Sequence, residues 1–450
     1  MKKILSRSVI KNLGFIGAII LIAIALVYFF SLKPSAPTPK IVVVGLDGAD
    51  WHILHPLIEQ NKLPNMQSLI ETGCAGVLRT VKPTISPVIW TSIATGKSML
   101  KHGVLDWRYV NKNNIEIPYS VDDIRVKFVW EILSDYGKTV GVINWFCTFP
   151  AVPVNGYLIS DRFRISVDKY LEYEGITYPP ELYPKIYEKA LKIGDRQFPR
   201  WIKEENIPNY YKMAIKELDD IPEKKRRQLA FFKRYFYQDK SVERVALDLL
   251  GSIPVDFFAV YFRLIDTTSH MVSLFIDKDL RKKWLQENVN LGGPSLQTEK
   301  KLFQNMTEII APVDVYMDNV VGRLKKTAPP ETIFIIVSDH GFNFSTKGYN
   351  HYDTPEIPHG IIIISGPGIR QGHWLQDAHI YDLTPTLLTL NGIPIGEDMD
   401  GKVILDVFSQ RPKVKKIATH DNGGRSSRKE RSRDLDERVL EDLRTLGYIK

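Results

Sequence analysis

One hydroxyl, three carboxylates and a set of histidines recur along this chain at positions that suit metal-assisted displacement. The hydroxyl is Ser86, in Thr84-Ile85-Ser86-Pro87-Val88-Ile89-Trp90, followed by Thr95-Gly96 and His102-Gly103. Each carboxylate closes or follows an apolar run: Asp47 after Ile41-Val42-Val43-Val44-Gly45-Leu46, Asp266 after the run 257–263, and Asp339 after the run 333–337. His270 lies four residues beyond Asp266, His340 adjoins Asp339, and His351 and His359 share a later loop. A lone Asp-His pair is weak evidence, and a Ser before a helix is an ordinary cap. Three acids at strand ends, with histidines nearby and a hydroxyl at a helix start, are not explained as core residues. Carboxylate oxygens and imidazole nitrogens suit Zn²⁺, and carboxylate-rich sites also admit Mn²⁺. Two such ions ~4 Å apart clamp a displacement at phosphorus. In that chemistry Ser86 is the nucleophile.

These groups must be carried by a sheet. Residues 40–46 read as a strand buried on both faces, as in a parallel sheet between helices. In open α/β sheets, ligands bind at the carboxyl ends of the strands, where Asp47 falls. A helix over 64–71 and a strand over 76–80 follow. A helix over 90–95 puts Ser86 just before its N-terminus, where unbonded N–H groups favour an anion. A helix over 130–135 and a strand over 140–144 come next, the strand ending at Asn144. From 166 to 248, aromatic and charged residues crowd into helical periods, as in 210–218 and 226–237, which predicts an inserted helical cap. The sheet pattern resumes at 257–263, and continues through a helix near 309–325 and strands at 333–337 and 361–364. Residues 381–390 read as a helix stopped by Asn391-Gly392. Leu435, Val439, Leu443 and Leu446 share one face of a short amphipathic helix. The fold class is α/β, with a mostly parallel central sheet, helices on both faces and a helical insert.

At 450 residues, with 44% hydrophobic and 25% charged, the chain is globular. Its net charge of +8 is concentrated at the ends, so nucleic acid is not an expected partner. Two cysteines, Cys74 and Cys147, are too few for a disulfide framework. Residues 13–32 form a charge-free apolar run long enough to cross a bilayer. Lys2, Lys3, Arg7 and Lys11 precede it, which puts 1–12 in the cytoplasm and the remaining chain on the extracytoplasmic (periplasmic) side. A cleavable signal peptide is the alternative. Residues 33–39 are a Pro-rich spacer. The catalytic domain is expected over 40–165 and 249–408, the cap over 166–248, and a basic flexible segment with the amphipathic helix over 409–450.

The motifs resemble the alkaline phosphatase superfamily, and within it the type I phosphodiesterase/nucleotide pyrophosphatase branch. The carriers are Val44-Gly45-Leu46-Asp47-Gly48, Ser86-Pro87 with Thr95-Gly96 and His102-Gly103, Asp266-Thr267-Thr268-Ser269-His270, Ser338-Asp339-His340-Gly341, and the stretch 360–368. Tyr381-Asp382-Leu383-Thr384-Pro385-Thr386 and Asp398-Met399-Asp400-Gly401 add to them. The resemblance implies two divalent ions, Zn²⁺ ahead of Mn²⁺. One would be held by Asp266, His270 and a late histidine, His351 with His359 as runner-up. The other would be held by Asp47, Asp339, His340 and the Ser86 oxygen. The branch uses Thr as nucleophile, nine residues before its Thr-Gly. The same count from Thr95 gives Ser86 and leaves Thr84 out of register by two. The branch also has an Asn 21 residues after the nucleophile, where this chain has Trp107 after Asp106; Asn144 is offered as its substitute.

The function implied is a membrane-anchored phosphohydrolase acting on a phosphodiester or phosphomonoester through a phosphoserine. A transferase of phospho-headgroups between envelope lipids or glycans is the first alternative. A tethered, non-catalytic binding domain is the second. A sulfatase is disfavoured, because no Cys/Ser-x-Pro-x-Arg sequence is present.

Overall fold

In the computed structural model, the described residues are 40–163, 174–191, 223–272, 279–280, 282–283, 286–287, 295–345, 348–351, 356–421, 433–446 and 449. The expected anchor at 13–32, its flanks 1–12 and 33–39, and the helical expectation over 210–218 lie outside them. Among the described residues, no helix is long and apolar enough to cross a membrane.

Runs of β-branched and aromatic residues form the sheet, because such side chains fit a pleated surface that is buried on both sides. The strands are β1 (Ile41–Leu46), β2 (Gly73–Arg79), β3 (Val140–Ile143), β4 (Gly156–Ile159), β5 (Thr177–Tyr178), β6 (Phe257–Phe262), β7 (Ile333–Val337), β8 (Gly360–Ser365) and β9 (His373–His379). Their spatial order is β9-β2-β8-β7-β1-β6-β3-β4-β5. β8 runs antiparallel to both neighbours and β5 is antiparallel to β4; the remaining pairs are parallel. The mostly parallel sheet expected from the sequence is therefore present. At its centre, Val44 of β1 stands level with Val260 of β6 and Ile336 of β7. That register brings the carboxyl ends of three strands to one edge. The backbone locks them there: Asp47 N–H donates to Phe262 O at 3.0 Å, and Asp266 N–H donates to Asp47 O at 3.0 Å.

The helices used below are α1 (Trp51–Glu59), α2 (Pro64–Glu71), α3 (Ser86–Thr95), α4 (Val129–Asp135), α5 (Glu223–Ser252), α6 (Leu264–Val272), α7 (Leu296–Thr327), α8 (Leu383–Leu390) and α9 (Arg433–Leu446). Apart from α9, they flank the sheet in two packed groups, α1, α2, α5, α6 and α7 in one, and α3, α4 and α8 in the other. All ten residues of α3 are buried. It seats against β1 because Gly45 has no side chain; a Cβ there would stand 2.8 Å from the Trp90 ring. Trp90 in turn meets Trp145 and Tyr261 edge to face, at 5.0 and 5.1 Å.

Several boundaries differ from the sequence reading. α3 begins at Ser86, not at 90, with Ile85 as its cap and Pro87 inside the first turn. Proline suits that place, since its fixed φ is helical and the N–H it lacks has no partner there. Asp266 does not end a strand; it lies in the first turn of α6, four residues beyond β6. α7 starts at Leu296, capped by Ser295, well before the expected 309. α5 continues to Ser252, so the expected cap boundary at 248 falls inside one helix. Residues 411–421, expected to be flexible, are docked. Ile395–Gly396 pairs with Lys416–Ile417, and Lys97 Nζ lies 2.5 Å from both Asp398 and Asp421. Lys97 is buried, and a buried ammonium needs carboxylate partners.

Candidate active site

Each of the three central strands delivers an acid to the same edge. Asp47 follows β1, Asp339 follows β7, and the first turn of α6 carries Asp266. All three are fully buried. His270 sits one helical turn after Asp266, on the same face, with Nε2 3.3 Å from Asp266 Oδ1. His351 arrives from the loop after the hairpin strand Gly348–Asn350. Its Nε2 is 3.0 Å from His270 Nε2 and 3.8 Å from Asp266 Oδ1. Two imidazole nitrogens that close, both facing one carboxylate oxygen, point at a common position.

The second focus is His340. Its Nδ1 donates to Gly341 O at 3.0 Å, which turns Nε2 toward the acids. That Nε2 lies 3.3 Å from Asp339 Oδ2, 3.4 Å from Asp47 Oδ1 and 4.0 Å from Asp266 Oδ1. Ser86 Oγ is 3.4 Å from the same nitrogen. His340 and His351 stack with ring centres 3.7 Å apart. His340 thus stands within reach of both clusters, and ligand-type atoms gather as Asp47–Asp339–His340 and as Asp266–His340–His351.

Supporting bonds leave one oxygen of each acid facing inward. Tyr261 OH donates to Asp47 Oδ2, and Gly48 N–H donates to Asp339 Oδ1 at 3.3 Å. Asp47 Oδ1 and Asp339 Oδ2 have no hydrogen-bond donor among the described residues. Burial, then the charges of Asp339 and Asp266, push the Asp47 carboxyl well above its usual range. Burial also raises Asp339. Burial pushes Asp266 up as well, but His270, His351 and His340 together outweigh it and hold Asp266 below the usual range. Burial, with His340 and His270 alongside, holds His351 well below an ordinary histidine. Buried carboxylates this close repel one another, and buried polar atoms normally have partners. Oxygen and imidazole donors converging in this way, with Arg263 reaching only the outer oxygen of Asp266, fit divalent metal ions.

The sequence alternatives have different surroundings. Thr84 Oγ1 is engaged with the backbone carbonyl of His351, whereas Ser86 faces His340. His359 accepts from Thr80 N–H at 3.2 Å beside β8, and His351 is the late histidine at the cluster. Asn144 follows β3 with φ 61°, and its Nδ2 donates to Tyr261 O at 3.0 Å. No described contact joins it to the acids, the histidines or Ser86. The first turn of α3 is not the row of unbonded N–H groups expected: Pro87 has none, and Val88 and Ile89 both donate to Ile85 O.

Three contributors had no signal in the sequence. Tyr261 reaches Asp47 because strand register sets it level with Gly45. Asp50 caps α1 and accepts from Phe342 N–H at 2.9 Å, which pins the loop after Asp339. Arg263 places its Nε 3.9 Å from Asp266 Oδ2, with its guanidinium 5.6 Å over the Trp107 ring.

Residues 41–358 match the family profile described as type I phosphodiesterase / nucleotide pyrophosphatase. A curated relative, an extracellular sulfatase SULF-1 homolog of Drosophila melanogaster, is 27% identical over 158 residues, 32% of this chain. The match spans only 14% of that protein's length. Among solved structures, an alkaline phosphatase PafA variant superposes with a TM-score of 0.51 and 14% identity, covering 83% of this chain and all of that one. A putative sulfatase of Bacteroides thetaiotaomicron gives a TM-score of 0.51 at 11% identity, covering 81% and 73%. At such identities the likeness to solved structures is one of fold.

Proposed function

The chain belongs to the type I phosphodiesterase / nucleotide pyrophosphatase family of the alkaline phosphatase superfamily and is a phosphoester hydrolase, and from this we propose a two-ion mechanism with Ser86 as nucleophile. The observation that carries it is the placement of Ser86 Oγ 3.4 Å from His340 Nε2, itself within 3.4 Å of both Asp47 and Asp339. Asp47, Asp339, His340 and Ser86 would hold one divalent ion; Asp266, His270 and His351 would hold the other. Zn²⁺ suits this donor set ahead of Mn²⁺. Bound there, such ions lower the pKa of a coordinated hydroxyl and offset charge on the phosphoryl oxygens.

The chain's own part is orientation. The Nδ1–H of His340 on Gly341 O aims Nε2 inward, and Tyr261 and Gly48 fix Asp47 and Asp339. Ser86 is held rigidly as the first residue of a fully buried helix. Its Oγ gives up a proton to solvent and bonds to phosphorus as the bond to the alcohol oxygen breaks. The alcohol leaves with a proton from solvent, and Ser86 carries the phosphoryl group. Water then bonds to phosphorus, the Ser86 ester bond breaks, and the hydroxyl is restored. The sequence Ser86-Pro87-Val88-Ile89-Trp90 lacks the sulfatase pattern, which supports phosphate over sulfate esters.

The charge-free run 13–32 behind four basic residues supports an N-terminal membrane anchor, with the catalytic unit outside the cytoplasm. The test of the mechanism is a panel of phosphomonoesters, phosphodiesters and sulfate esters on metal-reconstituted protein, with quenched samples checked for phosphoserine. Ser86→Ala is expected to lose turnover by several orders of magnitude while retaining metal. Full activity of that variant overturns the assignment.

A further inference from the structure

The nucleophile and the ligand-type residues around it have no exposed surface: Ser86, Asp47, Asp266, Asp339 and His340 are all at 0%. A phosphate ester reaches a hydroxyl so enclosed only if a covering element moves. Among the described residues, α9 covers the approach beside it. A depression begins at Pro87, the residue after Ser86, and is lined by Trp107, Phe146, Cys147 and by Val439 and Leu443 of α9. With α9 in place it keeps about 20 Å³ of room, enough for one water and too little for a phosphoryl group with its alcohol.

We propose that α9 is a lid, closed in this structure, that swings aside to admit substrate to Ser86. Its seat is apolar: Val439, Leu440 and Leu443 are buried, and the helix packs on the short strand Glu116–Pro118. Its ion pairs are weak. Arg444 meets Glu116 at 2.6 Å, but the two side chains are 47% and 31% exposed, and pairs in contact with solvent contribute little. Asp436 Oδ1 lies 3.6 Å from Arg162 Nη2, beyond hydrogen-bond length. A helix seated through a few aliphatic side chains and loose ion pairs opens locally while the sheet stays folded. Opening of this kind gates substrate entry and sets many turnover rates. The lid's bearing on catalysis rests on Ser86 marking the reacting centre, because only then does the depression at Pro87 lie on the substrate's path.

The test labels the metal-loaded full chain with N-ethylmaleimide and reads each cysteine by peptide mass spectrometry. Cys147 lines the depression that α9 covers, whereas buried Cys74, with its Sγ on Arg370 O at 3.1 Å, lies away from it on β2 and reports global unfolding. In Leu443→Glu a carboxylate cannot stay in the apolar seat, and Cys147 is expected to label at least about tenfold faster than in the wild type. Arg444→Glu faces Glu116 with a like charge and should speed labelling about two- to fivefold, while Arg444→Lys stays close to the wild type. kcat/KM for the ester that the wild type cleaves best should rise with the labelling rate, and Cys74 should keep its wild-type rate. A Cys147 rate in Arg444→Glu equal to the wild type, a matching rise at Cys74 in that variant, or unchanged turnover once Cys147 is opened overturns the lid. Labelling is read without turnover, so an active Ser86→Ala variant would sink the nucleophile and leave the lid measurable.

Discussion

Tyr261 shows what a single atom does for the site. Its hydroxyl satisfies Asp47 Oδ2 in a place where burial resists a negative charge, and so leaves Oδ1 facing the cluster. Tyr261→Phe is expected to weaken metal binding about 10- to 100-fold, read by competition with a chromogenic chelator. A second buried acid gives a pH prediction away from the cluster. Asp314, on α7, has Oδ2 without a partner among the described residues, and burial, with Asp50 nearby, pushes its pKa well above the usual value. A raised carboxyl binds its proton more tightly in the folded than in the unfolded chain. Its contribution to stability is therefore complete below about pH 4, the unfolded value, and is lost as pH rises through the folded one. Asp314→Asn should unfold at higher denaturant than the wild type at pH 8, with the gap closing towards pH 4.5. A gap that widens on acidification contradicts this. The types and spacing of Asp47, Asp339, His340 and Ser86 were readable from the chain, because each directly follows an apolar run or sits at a fixed count from Thr95-Gly96. Tyr261 was not, because only pairing between two strands puts its ring beside Asp47.

At the scale of elements, α3 is the part that most constrains the chemistry, since its first residue is Ser86 and its Trp90 packs on β1. Gly45→Ala places a methyl 2.8 Å from the Trp90 ring carbons. The ring is enclosed by Trp145 and Tyr261, so the helix must give way. Overpacking of this kind costs about 1–3 kcal/mol, read as a lower denaturation midpoint. Because the shift displaces Ser86, kcat should fall; a variant with normal kcat contradicts this link. The strands were readable from their β-branched runs. The helix starts were less so. Pro87 allowed α3 to begin at Ser86, four residues earlier than the apolar pattern suggested. Asp266 reads as a strand-end acid because Leu264 and Ile265 extend the apolar pattern of 257–262 past Arg263, although both belong to α6. The polar first half of α7 hid a helix whose inward face is set by packing on α5 and α6.

For the whole molecule, the cluster joins loops that are remote along the chain. The contact between Gly48 and Asp339 alone spans 291 residues, and His351 closes the set from a hairpin loop. Without a cation, three buried carboxylates face each other there, and the raised Asp47 and Asp339 report the penalty. Ions that bind only the folded chain stabilise it by mass action, about 4 kcal/mol when present at a thousandfold over Kd. Chelation should therefore lower the thermal midpoint by several degrees, and Zn²⁺ should restore it. The two clusters also predict different stoichiometries on mutation. Among the proposed ligands, His270 lies 3.3 Å from Asp266 and 3.0 Å from His351, so His270→Ala should reduce the metal content from two ions to one. His340 stands 3.3 Å from Asp339, 3.4 Å from Asp47 and 4.0 Å from Asp266, so His340→Ala should weaken both sites. Elemental analysis of the dialysed proteins decides it. An identical loss in the two variants would mean that His340 is no more shared than His270, and the assignment of ligands to two separate ions would have to be redrawn.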